Sequence, residues 1–237
     1  MGDDAIISRL LQLLRRKATG AAAEVRHARR KAVGPQTWMQ PIRTMAFTVL
    51  DCERAGLEPG REEILSIGAV KIRENRVVMS ERFWENFKPT ESLSPEEIVL
   101  IRGLGADKVG RGMALSAALD ELLAFIGDSV VVGHQTELDL ECLNAALGRS
   151  GKALRNPVLD TRLLYQWWRR TASPAGRAPD DRKLEELALE MKLPRYPAHH
   201  AYYDALTTGL LFLKLLAAFE ASGAVQFRAL YREAGVR

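Results

Sequence analysis

The run Ala46-Phe47-Thr48-Val49-Leu50 is apolar at four of its five positions and stops on Asp51-Cys52-Glu53, ahead of loop signals at Gly56 and Pro59-Gly60. A short apolar run bounded in this way reads as a buried strand, which commits the chain to a sheet with something packed against it on both sides. Two more strand patterns, Ile64 to Ile72 and Val77 to Phe87, flank the turn signal Glu74-Asn75, so the three are expected to pair antiparallel. Helical patterns take over afterwards. Ser94-Pro95-Glu96-Glu97 supplies a cap, a first-turn proline and first-turn acids for a helix to about Arg102, and Ala114 to Ile126 gives another. A buried strand at 128–133, a helix at 137–148, a short strand at 157–159 and three further helical stretches ending near Phe219 complete the series. Strands first and helices interleaved later predict an α/β fold, a mixed sheet with helices on both faces.

Residues 1–44 differ from the rest of the chain. They hold nine of the 34 Lys/Arg and three of the 30 Asp/Glu, leaving 25 against 27 in residues 45–237, so the net charge of +4 comes from this segment. Ile7, Leu10, Leu11 and Leu14 recur at helical spacing opposite Arg9, Arg15, Arg16 and Lys17, which predicts an amphipathic helix over residues 5–17. Gly34-Pro35 and Pro41 place a linker at residues 32–44. The expected organisation is a basic helical N-terminal extension and linker (1–44), one catalytic-size domain (45–220) and a C-terminal tail (221–237). A basic arm on a near-neutral body suits a phosphate backbone or an anionic surface as partner, and equally a solvated charged helix. Cys52 and Cys142 have no paired spacing, so no disulfide framework or thiolate metal site is expected, and a reducing cytoplasmic compartment fits. The acidic start Gly2-Asp3-Asp4 is unlike a signal peptide, and no apolar run reaches the ~20 residues of a membrane span.

Three segments carry chemistry. Asp51 and Glu53 stand two residues apart at a strand end, so both carboxylates point the same way at an edge where α/β sheets place ligands. Two like charges there are met by solvent, as in an ordinary surface loop, or by a cation, and hard oxygen donors suit Mg²⁺ or Mn²⁺. Next, Val130-Val131-Val132-Gly133-His134 delivers Asp139 into a helix start, where an acid also simply favours the helix dipole. His134 after the strand reads as a satisfied loop histidine more often than as a ligand or a base. Last, Tyr196-Pro197-Ala198-His199-His200 leads into an apolar helix that carries Asp204 about a turn and a half beyond His199. An imidazole titrating near neutrality there is suited to take a proton from a cation-acidified water, and equally to cap or pack.

In this order and spacing, the segments resemble the DnaQ-like, or DEDDh, exonuclease family. The resemblance covers residues 45 to 217. It rests on Asp51-x-Glu53 with Gly56-Leu57, on Gly133-His134 leading to Asp139, on Asn156-Pro157-Val158-Leu159-Asp160-Thr161 and on His199-x-x-x-x-Asp204, with Ile64 to Ala69 in the second strand. It implies a ribonuclease H-like fold and a 3'-5' exonuclease that hydrolyses phosphodiester bonds at the 3' ends of single-stranded DNA or RNA, DNA favoured. It further implies two divalent metal ions, Mg²⁺ or Mn²⁺, with Asp51 bridging both, Glu53 and Asp204 completing one position and Asp139 supporting the other. His199 is implied as general base because it, and not His200, has the five-residue offset to Asp204. Gly56, Leu57, Arg102 and His134 are the candidate substrate contacts, and Asp160 is a structural acid expected to cap the helix that begins at Thr161.

The chain departs from the family pattern in three places. Arg54-Ala55 stands where Thr-Thr is common, Arg102 where the loop usually has histidine, and Leu138 where an aromatic residue usually precedes the third acid. No departure replaces a metal ligand, so activity is expected with altered substrate grip. Trp167-Trp168-Arg169-Arg170 offers surfaces of the kind that stack bases, or core packing for one of the pair. The amphipathic helix at 5–17 is a candidate contact for a polymerase or another protein partner. The rival reading is a nucleic-acid-binding or scaffold protein on an exonuclease fold, working through its basic arm.

Overall fold

The computed structural model describes residues 35–55, 63–87, 114–172, 182–221, 223 and 226–236. The helix expected at 5–17, the helix expected at 94–102, the Gly56-Leu57 pair and Arg102 lie outside them. The elements in order are α1 (Pro35–Trp38), a 3₁₀ turn (Ile42–Thr44), β1 (Phe47–Ala55), β2 (Glu63–Arg73), β3 (Arg76–Asn86), α2 (Leu115–Ile126), β4 (Val130–Gly133), α3 (Glu137–Gly148), β5 (Val158–Asp160), α4 (Thr161–Ala172), α5 (Leu184–Glu190), α6 (Ala201–Ala221) and α7 (Phe227–Ala234).

The strands form one sheet in the order β3-β2-β1-β4-β5. β1, β2 and β3 pair antiparallel, and β4 and β5 add on in parallel. This is the mixed α/β sheet flanked by helices that the pattern predicted, and β1 is its centre. Alternation along β1 divides its side chains between two cores. Phe47 and Val49 join Val70, Ile72, Phe212 and Leu215 in the layer under α4, α6 and α7. Leu50 and Cys52 join Ala69, Leu122, Leu140 and Leu143 in the layer under α2 and α3.

The stretch read as a linker has structure in its described part. Ile42 is fully buried, and Trp38 stacks on Phe227 with ring centroids 5.5 Å apart. A backbone bridge joins Pro41 to Gln226, and Phe227 N–H donates to the Gln40 carbonyl. Within the stretch read as a tail, α7 buries Phe227, Leu230 and Ala234, spaced three and four residues apart so that they share one face. Both tryptophans at 167 and 168 turn inward: Trp167 stacks on Phe219 and Trp168 tilts against Tyr165. Both are half-buried and pack against the core.

Candidate active site

The period of two that sends Phe47 and Val49 toward α6 sends Asp51 and Glu53 to the same face, beyond the end of the core. α6 supplies the third acid from its first turn, Asp204. That turn comes down on the sheet because position 68 is glycine. Gly68 is the β2 partner of Asp51 in register, and a Cβ on it would lie 2.2 Å from the Ala201 carbonyl carbon and from the Tyr202 nitrogen. A glycine inside a strand marks such a close backbone approach. Sequence reasoning passed over it, although a Gly inside the apolar run Ile64 to Ile72 was the signal.

Asp51, Glu53 and Asp204 converge so that one carboxylate oxygen from each lies within 4.8 Å of the others, the one such group among the described residues. Burial carries the Asp51 carboxyl well above its ordinary value, and the negative charges of Asp139, Asp204 and Glu53 push it further. Burial likewise raises Asp204 to about 6, with Glu53 adding to the effect and the His200 backbone N–H opposing it. These are acids that resist ionising together, the condition a hard cation relieves. Donor type, convergence and repulsion therefore all fit a divalent ion.

Asp139 enters from the other layer. It sits in the first turn of α3, 6% exposed, and its Oδ1 accepts a hydrogen bond from Arg54 Nε at 2.8 Å. Burial raises it to about 6 against the pull of Arg54. Its position is set by Asp160 at the end of β5. One Asp160 oxygen accepts the Arg162 backbone N–H at 2.7 Å, capping α4, and the other accepts the Thr136 N–H at 3.1 Å, fixing the turn that starts α3. His134 lies in the same turn, with Nδ1 2.9 Å from the Thr161 hydroxyl, which donates to the Gly133 carbonyl.

His199 is exposed in the segment before α6 and takes a left-handed backbone, φ 57°. Its neighbour His200 is pinned. The His200 ring lies 4.7 Å from both Trp84 and Tyr203, and its backbone N–H donates to Asp204 Oδ2 at 3.0 Å. The two histidines thus divide their work: His200 packs on the sheet and holds the Asp204 carboxylate, and His199 projects into solvent beside it.

The family model described as exonuclease matches residues 48–212. The chain belongs to the DnaQ-like exonuclease family. A DNA polymerase III subunit epsilon-like protein of Rhodobacter capsulatus is 31% identical over 196 residues, 81% of this chain and 27% of that protein. The DNA polymerase III subunit epsilon of Aquifex aeolicus is 29% identical over 72% of this chain and 80% of its own length. A PolC-type DNA polymerase III of Halalkalibacterium halodurans is 28% identical over 74% of this chain, which spans only 12% of that polymerase. Among solved structures, E. coli exonuclease I in complex with a dT13 oligonucleotide superimposes with a TM-score of 0.60 at 19% identity, over 76% of this chain and 42% of that one. The cell-death related nuclease 4 gives 0.59 at 12% identity, over 76% of this chain and 65% of that one. The chain thus has the ribonuclease H-like fold of a nuclease hydrolase, with an acidic group suited to a metal.

Proposed function

We propose that this chain is a 3'-5' exonuclease that removes nucleotides one at a time from single-stranded nucleic acid, DNA in preference to RNA. The observation that carries the reading is the convergence of Asp51, Glu53 and Asp204 within 4.8 Å at the end of the central strand. In this reading Asp51, Glu53 and Asp204, with Asp139 beside them, would hold two divalent cations, Mg²⁺ or Mn²⁺. Bound there, the cations supply Lewis-acid stabilisation of the charge that develops on the phosphodiester and lower the pKa of water. The four carboxylates fix where that charge is placed, and the low exposure of Asp139 keeps solvent from competing for it.

His199 is the general base. It stands outside the packed layer, five residues before Asp204, so its imidazole meets solvent and takes the proton of the attacking water. His200 does not fill this role because its ring lies between Trp84 and Tyr203. Substrate contacts are assigned to His134 and, outside the described residues, to Gly56, Leu57 and Arg102. The names of the epsilon-type relatives support a polymerase as partner, engaged through residues 5–17. No described helix is long and apolar enough to cross a membrane, and a cytoplasmic setting is part of the proposal.

Digestion of single-stranded DNA and RNA oligonucleotides labelled at one end tests polarity and preference. A 5' label is expected to give a ladder shortening by single nucleotides while a 3' label is released at once as mononucleotide, faster on DNA. Immediate release of a 5' label, or cuts inside the strand, would overturn the assignment.

A further inference from the structure

Arg54 follows Glu53 at the end of β1, where the pairing with β2 shifts register between Glu53 and Arg54. Its Nε donates to Asp139 Oδ1 at 2.8 Å, and the backbone N–H of Cys52 also bonds that carboxylate. Asp139 is 6% exposed, and Arg54 is itself only partly exposed. Asp139 is thus already neutralised and held by β1, by a group that stays charged at every accessible pH and presents its donors as a rigid fork. Asp51, Glu53 and Asp204 instead meet one another. A divalent ion drawn to Asp139 must either share the carboxylate with the guanidinium, three positive charges on one acid in a site shielded from water, or displace it.

We propose that Arg54 is a built-in counter-ion that competes with a divalent cation for Asp139, so that this chain binds its two cations with unequal affinity. The first is taken by Asp51, Glu53 and Asp204, and the second only as Arg54 releases Asp139. Arg54 is therefore a positioning residue that sets how much metal the centre needs before it is complete. The inference rests on the cation-centre reading of the proposed function.

Mn²⁺ binding to the full chain without nucleic acid tests it, followed by calorimetry and by the spin-resonance signal of free Mn²⁺. Wild type is expected to bind one ion tightly and a second roughly tenfold to a hundredfold more weakly, the equivalent of one charge-assisted hydrogen bond. Arg54→Ala is expected to tighten the second ion by a similar factor and leave the first unchanged. Arg54→Gln keeps a donor without the charge and is expected to do the same, so it decides the matter if the alanine variant does not fold. Arg54→Lys keeps the charge and is expected to leave the second ion weak. Two equally tight ions in wild type, or an unchanged second affinity in both Arg54→Ala and Arg54→Gln, would overturn the role of Arg54 while leaving the cation centre standing. Failure of wild type to bind any Mn²⁺ that Asp51→Asn abolishes would overturn the cation centre and this inference with it.

Discussion

A methyl group at position 68 is the smallest change that disturbs the candidate site without altering an acid. It would lie 2.2 Å from the Ala201 carbonyl carbon, 2.2 Å from the Tyr202 nitrogen and 2.3 Å from the Ala201 oxygen. All three are backbone atoms of the first turn of α6, so no side-chain rotation relieves the overlap. Since Cβ contacts under 3.0 Å essentially never occur, the start of α6 must retreat. The retreat is about 1 Å in an interior packed too densely to absorb it elsewhere. Overpacking of this kind costs typically about 1–3 kcal/mol, which for a chain of this size lowers Tm by roughly 2–12 °C. Asp204 rides on the same turn and leaves Asp51 and Glu53 with it. Misplacement by about 1 Å can cost on the order of a hundredfold in a positioned reaction. Gly68→Ala is therefore expected to melt lower in a calorimeter, to lose at least tenfold in Mn²⁺ affinity on the order of a ligand misplacement, and to lose nuclease rate further. Gly148→Ala, where nothing lies within 4 Å of the new methyl, is the control and is expected to be neutral or stabilising. Wild-type Tm together with wild-type Mn²⁺ affinity in Gly68→Ala would show that the close approach at Gly68 does not position the site.

Other perturbations act on the acids and their supports. Asp139 and Asp204 are held at about 6 against an ordinary 3.8, and Asp51 is raised too, so the folded chain binds protons more tightly than the unfolded one. Their contribution to stability is full below about pH 4 and is lost as pH rises through 6; His134, lowered by burial, has the opposite sign but is one group against three. Metal-free protein should therefore melt higher at pH 5 than at pH 7.5, and saturating Mn²⁺ should raise the pH 7.5 value; a metal-free Tm that rises over that interval contradicts the electrostatics. Asp160→Ala removes the cap of α4 and the acceptor of the Thr136 amide together. A loss of about 2 kcal/mol or more by urea denaturation is expected, with a change under about 0.5 kcal/mol counting against the tie.

Much of the fold was legible in the sequence because it is local. β1 and β2 announce themselves as apolar runs, β3 follows the turn signal Glu74-Asn75, and the acids sit where strand period and helix start must put them. What the sequence hid depends on distance between elements. Pro35 and Pro41 speak locally for a linker, yet Trp38 and Ile42 are ordered by Phe227, from the far end of the chain. The face of α7 was readable from the spacing of Phe227, Leu230 and Ala234, and was missed beside the stronger signal of α6. At the site, Arg54 reads in sequence as a missing hydroxyl. Only the packing of α3 against β1 turns it into the partner of Asp139. Trp167 and Trp168 look like a base-stacking pair until α4 rolls them onto the core.

Whether the carboxylates at the end of β1 form a cation-dependent nuclease centre is decided by mononucleotide release from a single-stranded DNA oligonucleotide. Purified wild type and Asp51→Asn are compared, each with Mg²⁺ and with chelator. Release by wild type with Mg²⁺ is expected, none with chelator, and a loss of ~10²–10³-fold in Asp51→Asn, the order expected when a charge-stabilising group is removed. Equal release by Asp51→Asn and wild type, or release that persists in chelator, would contradict a metal centre built on Asp51.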